Sequence, residues 1–302
     1  MSSPSDETSL AETGLHSGSA PVSHPSAGSG SRPGWLSSSG PGPSGESIAP
    51  GALLAERYRI LGLVGRGGMG EVYRAEDLRL GQNVALKFLP AAVAEDPQRL
   101  AQFHHEVRIA RQVSHRNVCR VYDIGEDHGR VFLTMELIDG EDLAVLLKRI
   151  GRFPEERATE IARQICAGLA AAHDLGVLHR DLKPANVMLD ADGRVRITEF
   201  GLAGLAGSFT DIRSGTPAYM APEQLAGKEV TERSDIFALG LVLFEIFTGK
   251  RAFDATTLAD LLRQHDEGVH LTRGSGTRDL DPAVERVIVR CLQREPSASP
   301  MS

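Results

Sequence analysis

Apolar residues recur every three to four positions at Ala158, Ile161, Ala162, Ile165, Leu169 and Ala172. That spacing predicts a helix over residues 157–175, closed by the C-terminal signal Gly176. The same period at Leu100, Phe103, Val107, Ala110 and Val113 predicts a helix at about 97–113. Elsewhere the period is two. Val84, Leu86 and Phe88 fall on one face of a strand, and Ala85, Lys87 and Leu89 on the other. Arg59 to Val64 and Glu71 to Glu76 read as strands around a glycine-rich turn, and a Gly81-Gln82-Asn83 turn leads into the strand at Val84. After a turn near His115-Arg116-Asn117, Val118 to Gly125 and Val131 to Leu137 read as two more strands. Val187-Met188-Leu189 and Arg194 to Thr198 form a hairpin around Asp190-Ala191-Asp192-Gly193. Ser234 opens a long helix whose apolar run, Ala238 to Phe247, is ten residues and carries Glu245. That is a core helix, well short of the roughly 18 residues of a membrane span. The last helix runs from Asp281-Pro282 to Leu292, with Pro at its first position and a stripe of Val284, Val287, Ile288 and Cys291.

Residues 1–50 carry no period: 15 are Ser, 8 Gly and 7 Pro. Such a segment cannot bury enough apolar surface to offset its ordering entropy, so it reads as a disordered tail, with the folded part starting near Tyr58. Trp35 in that tail reads as a stray apolar residue before it reads as a docking motif. The net charge of −7 argues against a nucleic-acid surface, which would be basic. Cys119, Cys166 and Cys291 are far apart and lack metal-ligand spacing, which suits buried free thiols in a reducing compartment. No basic start is followed by an apolar stretch, so a cytoplasmic chain is expected.

The chemistry concentrates in His179-Arg180-Asp181-Leu182-Lys183-Pro184-Ala185-Asn186. The hairpin that follows brings Asn186 almost opposite Glu199, so Asp181, Lys183, Asn186 and Glu199 gather at one end of a small sheet. A carboxylate facing an amide suits a hard cation such as Mg²⁺. A second carboxylate beside a lysine suits a hydroxyl to be oriented and a phosphate to be neutralised. Any one of these residues could instead serve a turn. Gly65, Gly67 and Gly70 form G-x-G-x-x-G, which dinucleotide-binding folds share. Those folds need a helix next; here a strand follows, which makes a hairpin whose backbone can approach phosphates. Lys87 lies on a largely apolar face and needs an anion. Glu106, on the edge of the 97–113 stripe, offers one.

The string at 179–186 resembles the catalytic loop of protein kinases, and Lys183-Pro184 resembles their Ser/Thr-directed branch. Glu199-Phe200-Gly201 and Ala221-Pro222-Glu223 resemble the two ends of an activation segment. The resemblance to eukaryotic-type Ser/Thr kinases, especially their bacterial relatives, covers residues 58–300. It implies an α+β fold of two lobes: a five-stranded antiparallel sheet with one helix (58–138) above a mainly helical lobe (139–300), with ATP between them. It implies that Lys87, fixed by Glu106, holds the α- and β-phosphates under the loop of Gly65, Gly67 and Gly70. Val72, Ala85 and Met188 would wall the nucleotide. Met135 would be the gatekeeper, and the backbone of Glu136 and Ile138 would meet the adenine edge. Asp142 would touch the ribose or cap a helix. Asp181 would orient the substrate hydroxyl, Lys183 would neutralise the phosphoryl group, and Asn186 and Glu199 would hold Mg²⁺ or Mn²⁺. Asp235 would tie its helix to the catalytic-loop backbone. Ser208, Thr210 and Ser214 would be autophosphorylation sites facing Arg180.

Two departures stand out. The metal-binding aspartate of the family is Glu199 here, one methylene longer, a displacement of about 1.5 Å. Misplacement of that order can cost roughly 100-fold in rate. Ser299 stands where the family usually has an arginine paired with Glu223, for which Arg290 or Arg294 could substitute. Two functions follow: a Ser/Thr protein kinase acting on protein substrates, or a pseudokinase that binds nucleotide as a scaffold.

Overall fold

The computed structural model describes residues 47–67, 70–200, 217–255, 257–267 and 280–293. Residues 47–57 already pack on the folded body, ahead of the start at Tyr58 that periodicity suggests. β1 (Leu53–Leu54) pairs antiparallel with the head of β2 (Tyr58–Gly67), and Leu54 is buried. The Ile48 N–H donates to the Tyr73 hydroxyl at 3.1 Å, and the Ala55 N–H to Asp127 Oδ1 at 2.9 Å. A two-residue strand is too short to show a period.

The first sheet therefore has six strands where five were expected. They include β3 (Gly70–Asp77), β4 (Gln82–Phe88), β5 (Val121–Asp127) and β6 (Arg130–Glu136) in the order β1-β2-β3-β4-β6-β5, all antiparallel. Two helices accompany it rather than one: the single turn α1 (Ala91–Ala94) and α2 (Pro97–Ala110). Asp96 caps α2 by accepting from the Gln98 and Arg99 N–H groups. The helix stops at Ala110, and Val113 is buried in the turn beyond it.

The period of two along β4 resolves into two separate apolar clusters. Val84, Leu86 and Phe88 pack with Tyr58, Ile60, Tyr73 and Phe132. Ala85 packs with Val72, Leu133 and Met135, and with Phe103 and Val107 of α2. Lys87 points to that second side and is only 6 % exposed, so its charge does need a partner.

The second body is built from β7 (Gly140–Asp142), α3 (Leu143–Ile150), α4 (Glu155–His173), β8 (Val187–Asp190), β9 (Val195–Ile197), α5 (Pro222–Leu225), α6 (Glu232–Thr248), α7 (Leu258–Glu267) and α8 (Pro282–Cys291). The strands form a small sheet in the order β7-β8-β9. The α4 stripe of Ala158, Ile161, Ile165, Leu169 and Ala172 is buried as the spacing predicts. Gly168 lets α4 approach β9: a Cβ there would stand 2.9 Å from Ile197 Cδ1 and 3.0 Å from the Asn117 carbonyl oxygen. α6 is buried on nearly every side, which is why it reads as an unbroken apolar run and not as a stripe.

Two readings change here. On α8, Ile288 is buried but Val287 is 53 % exposed, because Val284, Ile288 and Cys291 share one stripe and Val287 sits on its flank. All three cysteines are free, but only Cys119 is buried; Cys166 is exposed on α4. Among the described residues no helix is long and apolar enough to cross a membrane.

Candidate functional site

The loop between α4 and β8 is held from α6. Asp235 Oδ2 accepts from the His179 N–H at 2.7 Å and pairs with His173 Nε2 at 2.8 Å, while Oδ1 accepts from the Arg180 N–H at 2.8 Å. Burial alone would raise the pKa of this carboxyl; His173 and the loop donors bring it below the usual carboxylate range. The expected tie between Asp235 and the loop backbone is thus observed. Arg180 is left-handed, with φ 66°, and its carbonyl accepts from Gln224 Nε2 at 2.8 Å. Such a backbone costs about 1–2 kcal/mol, and bonds on both its N–H and its carbonyl hold it there.

The His179 ring joins this loop to the strand behind it. Nδ1 accepts the Asp181 N–H at 3.2 Å, so Nε2 carries the proton and donates to the Thr198 carbonyl at 2.9 Å. Burial lowers the ring's pKa, which keeps it neutral, and it packs against Phe200 at 4.7 Å between ring centres.

Asp181, Lys183 and Asn186 form one hydrogen-bonded group. Lys183 Nζ lies 2.7 Å from Asp181 Oδ2, and Asn186 Nδ2 donates to the Asp181 carbonyl at 2.8 Å and to Oδ2 at 3.2 Å. The amide nitrogen of Asn186 is thereby fixed inward, which leaves Oδ1 as its oxygen donor for a ligand. The hairpin pairs Val187 with Ile197, and the Thr198 N–H donates to the Asn186 carbonyl at 2.9 Å. Asn186 and Glu199 are therefore offset by one residue from direct opposition, close to expectation. Asn186 Oδ1 and a carboxylate are hard oxygen donors of the kind Mg²⁺ takes, so the residues fit that ion.

The charges above this group do not pair as expected. Lys87 Nζ lies 2.6 Å from Glu199 Oε1, not against Glu106. Glu106 Oε1 instead accepts from Arg180 Nη1 at 2.9 Å and from Gln102 Nε2 at 3.0 Å. Its Oε2 is buried with no hydrogen-bond partner among the described residues. The expectation that Glu106 is buried holds; its pairing with Lys87 does not. The physical reason lies in two left-handed residues. Glu199 also has φ 66°, and the lysine meets its long carboxylate, while the turn at Arg180 lets that guanidinium reach α2. Burial opposes ionisation of Glu199, yet Lys87 beside it and Lys183 beyond hold its pKa below the usual range.

Apolar walls surround the pair. Val72, Ala85, Met135, Ile138 and Met188 belong to one buried cluster, and Ala85 is paired with Met135 across β4 and β6. Val64 packs against the same cluster and was not predicted; its place just before the glycines is the signal. Gly65 pairs with Val72 and Gly67 with Gly70, closing the hairpin; Gly68 and Met69 lie outside the described residues. Gly70 has φ 109°, and a Cβ there would fall 2.0 Å from the Phe88 carbonyl oxygen, so only glycine fits. The Glu136 N–H donates to the Arg120 carbonyl at 2.9 Å, and its own carbonyl accepts from Cys119 Sγ at 3.6 Å.

Asp142 caps α3 by accepting from the Val145 N–H at 2.8 Å, and burial pushes its pKa up to about 6. Glu223 Oε1 accepts from Ser234 Oγ at 2.5 Å. Arg290 is exposed, without an ion pair among the described residues, and Arg294, Ser208, Thr210 and Ser214 lie outside them.

Residues 58–300 match the family model described as "Protein kinase domain". Serine/threonine-protein kinase pkn3 of Myxococcus xanthus is 35% identical over 83% of this chain and 49% of its own length. PrkC of Bacillus subtilis is 33% identical over 82% of this chain and 39% of its own, and PknD of Mycobacterium tuberculosis 38% identical over 81% and 38%. The crystal structure of the PknI kinase domain of M. tuberculosis is similar with a TM-score of 0.60 and 31% identity, covering 70% of this chain and 80% of that one. The chain belongs to the protein kinase family, and its fold is the two-lobed α+β kinase fold. It spans half or less of the length of these three curated relatives.

Proposed function

We propose that this chain transfers the γ-phosphoryl group of ATP to serine and threonine hydroxyls of proteins. The observation that carries the reading is the bonded group of Asp181, Lys183 and Asn186 on a loop clamped at two N–H groups by Asp235. Asp181 accepts the proton of the substrate hydroxyl as it attacks, and Lys183 neutralises the phosphoryl oxygens in flight. Val72, Ala85 and Met188 sandwich the base, and Lys87 takes the α- and β-phosphates under the loop of Gly65, Gly67 and Gly70. Asn186 Oδ1 and Glu199 hold Mg²⁺ or Mn²⁺, which when bound neutralises the phosphate charge. The net charge of −7 supports protein rather than nucleic-acid substrates.

The test is phosphotransfer to a generic protein substrate by the purified chain with Mg²⁺ and with Mn²⁺, beside metal-dependent ATP binding. Lys87→Met should bring transfer to background while the fold survives, since β4 keeps its apolar faces. Transfer by that variant at the parental rate would refute the role of Lys87. ATP binding without turnover in the parent would leave a nucleotide-binding scaffold in place of an enzyme. The Lys87–Glu199 pair is the observation that favours this second reading, because it occupies a phosphate ligand with a metal ligand.

Autophosphorylation belongs to the same proposal. A phosphate on Ser208, Thr210 or Ser214 brings about −2 charges and competes with Glu106 for Arg180. Mass spectrometry after incubation with ATP should find phosphate between Leu202 and Gly215; its absence in an active enzyme rules the idea out.

A further inference from the structure

A cleft of about 300 Å³ opens between the turn after α2, the start of β5 and the side of β9. Arg116, Arg120 and Arg196 line it together with His115 and Tyr122, and Glu136 is the one acid among the lining residues. In a chain of net charge −7 this is a local excess of cations. The arginines are only partly neutralised. Arg196 Nη1 lies 3.4 Å from Glu136 Oε1 and its Nε 3.9 Å from Asp190 Oδ2. Arg120 Nη2 donates to Ser114 Oγ at 3.0 Å, a neutral partner. Arg116 is exposed and makes no ion pair among the described residues. Three arginines lining one cleft with a single carboxylate suit a dianion that can accept several N–H donors at once.

We propose that this cleft binds a phosphoryl dianion, carried on a serine or threonine side chain of a protein or supplied as a free anion, and that its occupation is coupled to the nucleotide site. The binding part stands on the cleft alone; the coupling rests on the nucleotide reading given above. Two covalent paths lead from the cleft to that site. Glu136, whose carboxylate holds Arg196 and accepts the Arg120 N–H at 3.2 Å, has the backbone expected to meet the adenine edge. Arg196 stands on β9 three residues before Glu199. A dianion that draws Arg196 from Glu136 therefore acts on that backbone and on the metal-ligand strand together.

The full chain is titrated with a phosphothreonine peptide, with its unphosphorylated parent and with inorganic phosphate, by calorimetry. The phosphothreonine peptide should bind and its parent should not. Arg116→Glu, at an exposed position with no ion pair to lose, should weaken binding by about tenfold or more at unchanged melting temperature. Binding of peptide and inorganic phosphate alike assigns the site to the anion itself; binding of the peptide alone assigns it to a modified side chain. No binding, or binding untouched by Arg116→Glu, overturns the proposal. So does binding abolished by Lys87→Met, which would put the anion at the nucleotide. With the peptide saturating, the affinity for ATP should shift by about threefold or more, and an unchanged ATP affinity overturns the coupling. A chain that never binds ATP but still binds the phosphopeptide refutes the nucleotide reading and leaves the cleft assignment standing.

Discussion

Glu199 is where one methylene decides most. Its carboxylate reaches Lys87 at 2.6 Å from a left-handed backbone, and the displaced Glu106 is left with a buried oxygen that no donor among the described residues meets. An unmet buried acceptor costs about 1–3 kcal/mol, so this arrangement holds a built-in reason to repack. Aspartate is shorter by about 1.5 Å and tolerates the left-handed region better than glutamate. Glu199→Asp should loosen the hold on Lys87 and shorten the proposed metal ligand by one methylene. We expect kcat with Mg²⁺ to rise by about 10- to 100-fold, roughly 1.4 to 2.7 kcal/mol of transition-state stabilisation. Mn²⁺ should narrow the gap between variant and parent, and Glu199→Ala should be near dead. A parent as active as ordinary kinases and unimproved by aspartate would show that the loop backbone absorbs the extra methylene.

At the scale of the element, α3 carries a titratable cap. Asp142 is buried, and its pKa is raised from 3.8 to about 6 by burial. The folded carboxyl thus binds its proton more tightly than the unfolded one. Stability falls as pH rises from about 4 to about 6 and is level above that, by roughly 3 kcal/mol in total. Asparagine offers the Val145 N–H the same acceptor without the charge. Asp142→Asn should therefore be more stable than the parent at pH 8, by about 1–3 kcal/mol, with the advantage shrinking to about a third of that near pH 4.5. Denaturant titrations at the two pH values would decide this, and a difference independent of pH would disprove it.

At the scale of the molecule, the first sheet extends further back than its periodicity does. Arg57 grips the buried Asp77 with two bonds, Nε to Oδ1 at 3.0 Å and Nη2 to Oδ2 at 2.6 Å. Ser47 Oγ meets Arg66 at 2.6 Å. A chain beginning at Ser47 should match the full chain in stability within about 0.5 kcal/mol. A chain beginning at Tyr58 loses the burial of Leu54 and leaves Asp77 charged without its partner. It should be weaker by at least about 3 kcal/mol. Equal melting of the two truncations would mean that residues 47–57 only lie on the surface.

The sequence alone determined what local rules govern. Stripes of period 3.6 and faces of period two are written in side chains a few residues apart, so α4, the two faces of β4 and the hairpin between β8 and β9 were legible. So was the grouping of Asp181, Lys183 and Asn186, because six residues of one loop cannot travel far from one another. The burial of Lys87 and Glu106 also followed from their places on apolar faces. What only the tertiary structure decided is which buried charge meets which. Lys87 and Glu199 are 112 residues apart, and Arg180 and Glu106 are 74 apart. No spacing rule spans such distances. The choice among partners rests on two left-handed backbones and on the reach of one side chain, which exist only once the loops are folded against α6 and the sheet.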